Sequence, residues 1–187
     1  MLNDYASVSG NELWNTARLN AYIMNVGSPF TTGGPVCSCE TITPRLLGED
    51  FDAYTTPEAD PAPWYDVDTP ESAEFLGFLP LSVTGTNDNP RSRSVTNSVG
   101  GGGVFGPSRA LPRTITVTGL LLGTTCCGVD YGMQYLTEVL EGCTGDACDG
   151  DCFEMYNCCP EPGTTPEHRA ARNRRTFRRT ALVSGPT

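Results

Sequence analysis

Nine cysteines stand in a chain of 187 residues, and five of them fall inside CTGDACDGDCFEMYNCCPEPG, residues 143–163. Thiolates at Cys143, Cys148, Cys152 and Cys158 could hold a zinc ion, which takes four sulfur or nitrogen donors in a tetrahedron. The spacing speaks against it. Structural zinc sites use C-x2-C-like hooks, whereas the runs here are Cys37-x-Cys39, Cys126-Cys127, Cys143-x4-Cys148-x3-Cys152 and Cys158-Cys159. Disulfide chemistry uses the same residues differently. Adjacent cysteines do not easily bond each other, so each pair would send at least one member to a distant partner, and all nine cysteines are candidates. Cross-links made after release from a reducing cytoplasm, a zinc site and reduced thiols all stay open, with cross-links favoured. Closing a long loop would stabilise by about 2–4 kcal/mol, so the stretch reads as a staple and not as a reaction centre.

Other chemistries are narrower still. The chain has no lysine, which removes Schiff-base catalysis, a Ser-Lys dyad and a P-loop lysine. Gly101, Gly103 and Gly106 match G-x-G-x-x-G, but Pro107 and Pro112 follow where a helix N-terminus would have to receive a pyrophosphate. His168, the single histidine, sits in a basic run with no carboxylate nearby to orient it. The pairs Asp50 with Asp52 and Asp66 with Asp68 lie in a Pro-rich acidic run and read as solvated charge, leaving a cell-wall hydrolase as a remote alternative. No catalytic residue and no cofactor is expected, zinc apart.

The elements that position these residues are set by composition and pattern. With 21 glycines and 15 prolines, long helices are hard to place, and a mainly β fold with long loops is expected. Residues 1–167 carry six arginines and all 22 acids, whereas residues 168–187 carry six arginines and no acid. The run HRAARNRRTFRRT therefore offers Arg174, Arg175, Arg178 and Arg179 as interface residues toward an acidic partner or a phosphate backbone. Residues 49–74 hold nine acids, no base and four prolines, which predicts an extended surface loop with Trp64 and Tyr65 as exposed interface anchors or as staples to its own domain.

Residues 11–25 fit a short helix or two short strands around Arg18, and the segment Cys39–Ile42 reads as a strand. Residues 75–83, 92–99 and 113–122 read as further strands, with a Gly-rich loop at 100–112. A helix is expected from an Asp130 cap to Gly142, with Met133, Leu136 and Leu140 on one face, packed on the strand pair. The basic end, 168–187, reads as a final strand. The first residues show no basic and apolar leader pattern, and the longest purely apolar run is Leu120–Leu122, so a soluble protein made in a cytoplasm is expected, without membrane insertion.

NELWNTARLNAYI, GPSRALPRT running into RTITVTGLLLGTT, YGMQYLTEVLEG and RRTALVSGPT together resemble minor tail proteins of long-tailed bacteriophages that infect actinobacteria, and the distal tail protein among them. The resemblance implies a β-sandwich or tail-tube-like domain with one packed helix. It implies a homo-oligomer, a hexameric ring, at the tail tip of the virion, joining the tail tube to the baseplate hub. It also implies contacts with the tape-measure protein and other tip proteins, with DNA passing through the channel. The Cys-rich insert departs from that pattern. On this reading acidic loops would face the lumen and repel DNA, while the arginine-rich strand would bridge to an acidic neighbour.

Overall fold

The architecture follows from three short-range signals and one long strand pair. In this computed structural model, residues 5–29, 44–97, 99–142, 150–156, 165, 168 and 172–187 are described. Strand β1 (Tyr5–Val8) turns into β2 (Asn11–Asn15) through Ser9 and Gly10, both at positive φ. That backbone gives a two-residue hairpin the right-handed twist its strands need. Asn15 then ends the strand and caps helix α1 (Thr16–Asn25), its side chain accepting a hydrogen bond from the Arg18 amide at 3.2 Å. Gly27, at φ 64, closes the helix by donating to the Met24 carbonyl. Both sequence alternatives for residues 11–25 were therefore half right: a strand precedes Arg18 and a helix contains it.

A four-stranded sheet in the order β10-β9-β1-β2 forms one layer, with β9 spanning Asp151–Tyr156 and β10 spanning Arg174–Thr180. Antiparallel pairing sets Phe177, Phe153 and Val8 in one row and Arg175, Met155 and Ala6 in the next. The apolar face so formed packs on Trp14, Leu136 and Val139. The second unit is the hairpin of β3 (Phe75–Thr84) and β8 (Thr116–Gly123), kinked by irregularities at Leu76 and Leu81. Two short helices, α2 (Pro44–Leu47) and α3 (Glu71–Glu74), complete the approach to β3.

Helix α4 (Cys126–Glu141) packs on that hairpin, as expected. It starts five residues earlier than expected: Thr125, not Asp130, is the cap residue, its hydroxyl accepting from the Gly128 amide at 3.1 Å. The buried positions are Gly128, Gly132, Leu136 and Val139, so the packed stripe is set by two glycines and not by Met133. A Cβ at Gly132 would sit 2.2 Å from the Phe75 ring, and one at Gly128 would sit 2.7 Å from the Glu74 backbone. Helix and strand approach closer than any side chain permits.

The fold is mainly β with one long packed helix, as the composition implied. Two local expectations change. The strand at 92–99 and the loop at 100–112 are one β-ribbon, β4 (Arg91–Ser92) pairing with β7 (Arg109–Ala110) and β5 (Val95–Asn97) with β6 (Gly103–Phe105). The acidic run 49–74 is no surface excursion, because Tyr54, Asp60, Ala62, Trp64 and Ser72 are buried. The strand expected at Cys39–Ile42 lies outside the described residues.

Candidate functional site

The most polar buried place in the molecule is built around Arg18, which is 1% exposed. Its guanidinium reaches Glu12 at 3.2 Å from β2, Glu49 at 2.8 Å and Asp60 at 3.7 Å from the acidic run. Nη1 also donates to the Tyr22 hydroxyl at 3.3 Å, and that hydroxyl donates to Asp60. Its central carbon lies over the Tyr54 ring, 4.5 Å from the centroid, and 5.9 Å from the centroid of the Trp64 ring. Asn15 donates to Glu12 at 3.2 Å and to the Tyr54 hydroxyl at 2.9 Å, closing the circuit. One cation thus answers three carboxylates from two parts of the chain.

Charge in this place is set by burial. Burial pushes the Glu12 carboxyl up to about 7, against the pull of Arg18 and Asn15. Burial likewise raises Glu49, again opposed by Arg18. For Arg18 itself burial pulls downward, but Glu12, Tyr22 and Glu49 outweigh it and hold the guanidinium charged. Tyr22 and Tyr54 are both driven upward by burial and stay protonated donors. The network consists of one guanidinium, three carboxylates, one side-chain amide and two phenols, with the Trp64 indole beside them. Its chemistry is that of a latch, which ties the acidic run to β2 and α1.

Trp64 completes the latch. It is 5% exposed, donates its indole N–H to the Phe75 carbonyl at 3.0 Å, and meets the rings of Tyr22, Phe75 and Tyr135. Of the two readings of this residue, the staple describes it; it is not an exposed interface anchor of the single chain. Tyr65 is half-buried against the same cluster. Asp66 binds its own turn through Thr69 and the Asp68 amide, and Asp50, Asp52, Asp66 and Asp68 are exposed, in keeping with solvated charge.

The exposed features lie on two strand systems. Residues 91–97, with Val95 56% exposed, and 101–105, with Val104 65% and Phe105 69% exposed, present both faces of the ribbon to solvent. An isolated two-stranded ribbon is marginal in water, and apolar side chains at its tip make it more so. In β10, Arg174 and Arg178 are exposed, and Arg174 lies 3.7 Å from Glu154. Arg175 donates to Asn87 at 2.6 Å, and Arg179 stands at φ 60 where the register shifts. The sheet order leaves β10 at an edge.

The cysteine expectations divide. Cys126, Cys127 and Cys152 are free, exposed thiols, so no cross-link joins these three, which sit on the first turn of α4 and on β9. Cys37, Cys39, Cys143, Cys148, Cys158 and Cys159 lie outside the described residues, and so do three of the four zinc candidates. Among the described residues no group of three or more His, Cys, Asp or Glu side chains is placed to hold a metal ion. Among the same residues no helix is long and apolar enough to cross a membrane.

Sequence reasoning missed the Arg18 network and the ribbon tip. A single arginine inside an otherwise apolar helix face was the signal for the first, since an arginine there must be paired. Val104-Phe105 between glycines was the signal for the second. The chain matches no protein family, no curated protein and no solved structure.

Proposed function

We propose that this chain is a structural subunit of a phage tail tip, assembling as a ring, hexameric in the kind of protein its sequence resembles. The ring joins the tail tube to the baseplate hub, lines the DNA channel and contacts the tape-measure protein. The observation that carries the assembly part of this reading is the ribbon 85–115, which extends from the β3–β8 hairpin with Val95, Val99, Val104 and Phe105 exposed. Between residues 91 and 105 every described residue of the ribbon is exposed, and the ordinary way to stabilise such a ribbon is to cover it with another subunit. The edge strand β10 adds a second open ladder of the sort that ring closure removes.

The latch around Arg18 supports the same reading from inside. A body whose buried polar groups are spent on tying residues 49–74 to β2 and α1 is built to keep its shape. The phage assignment rests on the resemblance of the motifs and on the mainly β fold with one packed helix. Native mass spectrometry of the purified protein, with bound metal read from the same spectrum, tests it. A hexamer of bare chains is the expected result, and incorporation into tails of purified particles fixes the location. A monomer at tens of micromolar carrying one zinc ion would overturn the ring and turn attention to the Cys-rich stretch.

A further inference from the structure

The ribbon and the acidic run carry opposite charge. Residues 85–115 hold Arg91, Arg93, Arg109 and Arg113 against Asp88, a net +3, whereas residues 49–74 hold nine acids and no base. Three of the nine acids, Glu49, Asp60 and Glu74, are turned inward or half-buried; Asp50, Asp52, Glu58, Asp66, Asp68 and Glu71 are exposed. On the ribbon, Arg91, Arg93 and Arg109 are exposed and flank the apolar tip. From the end of the β3–β8 pairing to the tip is a reach of at most about 50 Å of extended chain, enough to cross the face of a neighbouring body.

We propose that the ribbon of one copy docks on the acidic face formed by residues 49–74 of the next copy, with Arg91, Arg93 and Arg109 set against exposed carboxylates and Val104 and Phe105 buried beside them. The proposal rests on the ring reading above and names the contact that makes the ring. Two observations select this occupant. The ribbon's charge is opposite to that of the body. The acidic segment is rigid, held by Arg18, Trp64 and Ser72, which donates to the Asp66 carbonyl at 2.9 Å, so its carboxylates are presented in fixed positions. The contact joins two different surfaces, which is the head-to-tail kind that closes into rings. A nucleic acid is the poorer occupant, because the acidic body from which the ribbon projects would repel it. The exposed carboxylates then belong to the subunit contact and not to the channel wall.

The test exchanges charges. Arg91→Glu/Arg93→Glu/Arg109→Glu reverses the ribbon, and Asp52→Arg/Glu58→Arg/Asp68→Arg reverses the face; all six side chains are exposed, so both variants should fold. Each alone brings like charges together and should weaken self-association on the order of 100-fold. Mixed in equal amounts, the two variants present complementary surfaces at every contact and should assemble again. Wild-type assembly should loosen as salt rises from 0.05 to 0.5 M. Assembly of either variant alone at wild-type concentration overturns the docking but leaves the ring. A wild-type chain that never assembles overturns both, and a ribbon variant that assembles normally while losing retention on duplex DNA assigns the ribbon to nucleic acid instead.

Discussion

The acidic run 49–74 and the ribbon 85–115 are both rich in residues that break regular structure, four prolines in the first and three prolines with six glycines in the second. Their fates are opposite. The acidic run is anchored in the core by Tyr54, Asp60, Ala62 and Trp64, and the ribbon with the apolar tip is out in solvent. Net charge does not decide burial; anchors do. Tyr54, Asp60, Ala62 and Trp64 give the acidic run four side chains that reach into the body, and Arg18 receives two of its carboxylates. The ribbon has strand-forming residues, and past its base, where Ile115 packs on the core and Arg113 lies over Phe177, its described residues from 91 to 105 stay exposed.

Removing the cation should break this contrast most. Arg18→Ala leaves Glu12 and Asp60 buried without their cation, and a loss of about 3–5 kcal/mol in urea unfolding is expected. Limited proteolysis of the same variant should cut within 49–74 before it cuts the body, making the two segments alike; a loss under about 1 kcal/mol would mean that the network is hydrated and no latch. Trp64→Ala should cost a similar 3–5 kcal/mol through cavity formation, and Trp64→Phe should recover most of it, since the ring packing stays and only the bond to Phe75 goes.

Proton linkage sharpens the latch. Glu12 is raised by burial from 4.5 to about 7, so it binds a proton more tightly in the folded chain than in the unfolded one. Its contribution to stability is present in full below about pH 4.5 and is lost as pH rises through about 7. Between pH 5.5 and 8 the wild-type chain should lose about 2 kcal/mol that Glu12→Gln does not lose, as read from denaturation at the two values. An equal slope for both chains would place the ionised carboxyl in the folded state throughout.

Gly132→Ala probes the body where the packing is tightest. The added methyl meets the Phe75 ring, and a loss of about 1–3 kcal/mol is expected, with the melting temperature as readout. The smallest effect belongs to the ribbon: Val104→Ser and Phe105→Ser should change unfolding of the isolated chain by less than about 0.5 kcal/mol, because both side chains are already in water. Sedimentation should nevertheless show weaker self-association. A large loss of stability in the isolated chain would mean that the ribbon is packed, and the comparison with the acidic run would collapse.

The sequence by itself determined the elements with local causes. Ser9-Gly10, Asn15, Gly27 and Gly142 mark where strands turn and helices begin or end, and the readings of 75–83 and 113–122 as strands fall on β3 and β8 within a few residues. It also determined the unequal spread of charge, and with it the arginine edge at β10. It did not determine which side of the surface any segment takes, because that depends on partners far away in the chain. Trp64 meets Phe75 and Tyr135, and Arg18 meets Glu49 and Asp60, contacts that no window of local pattern contains. Only the tertiary structure decided that two acids of the run, Glu49 and Asp60, would close on Arg18 and that Val104 and Phe105 would stand in solvent, since burial follows from what a side chain can reach and not from the character of its neighbours in sequence.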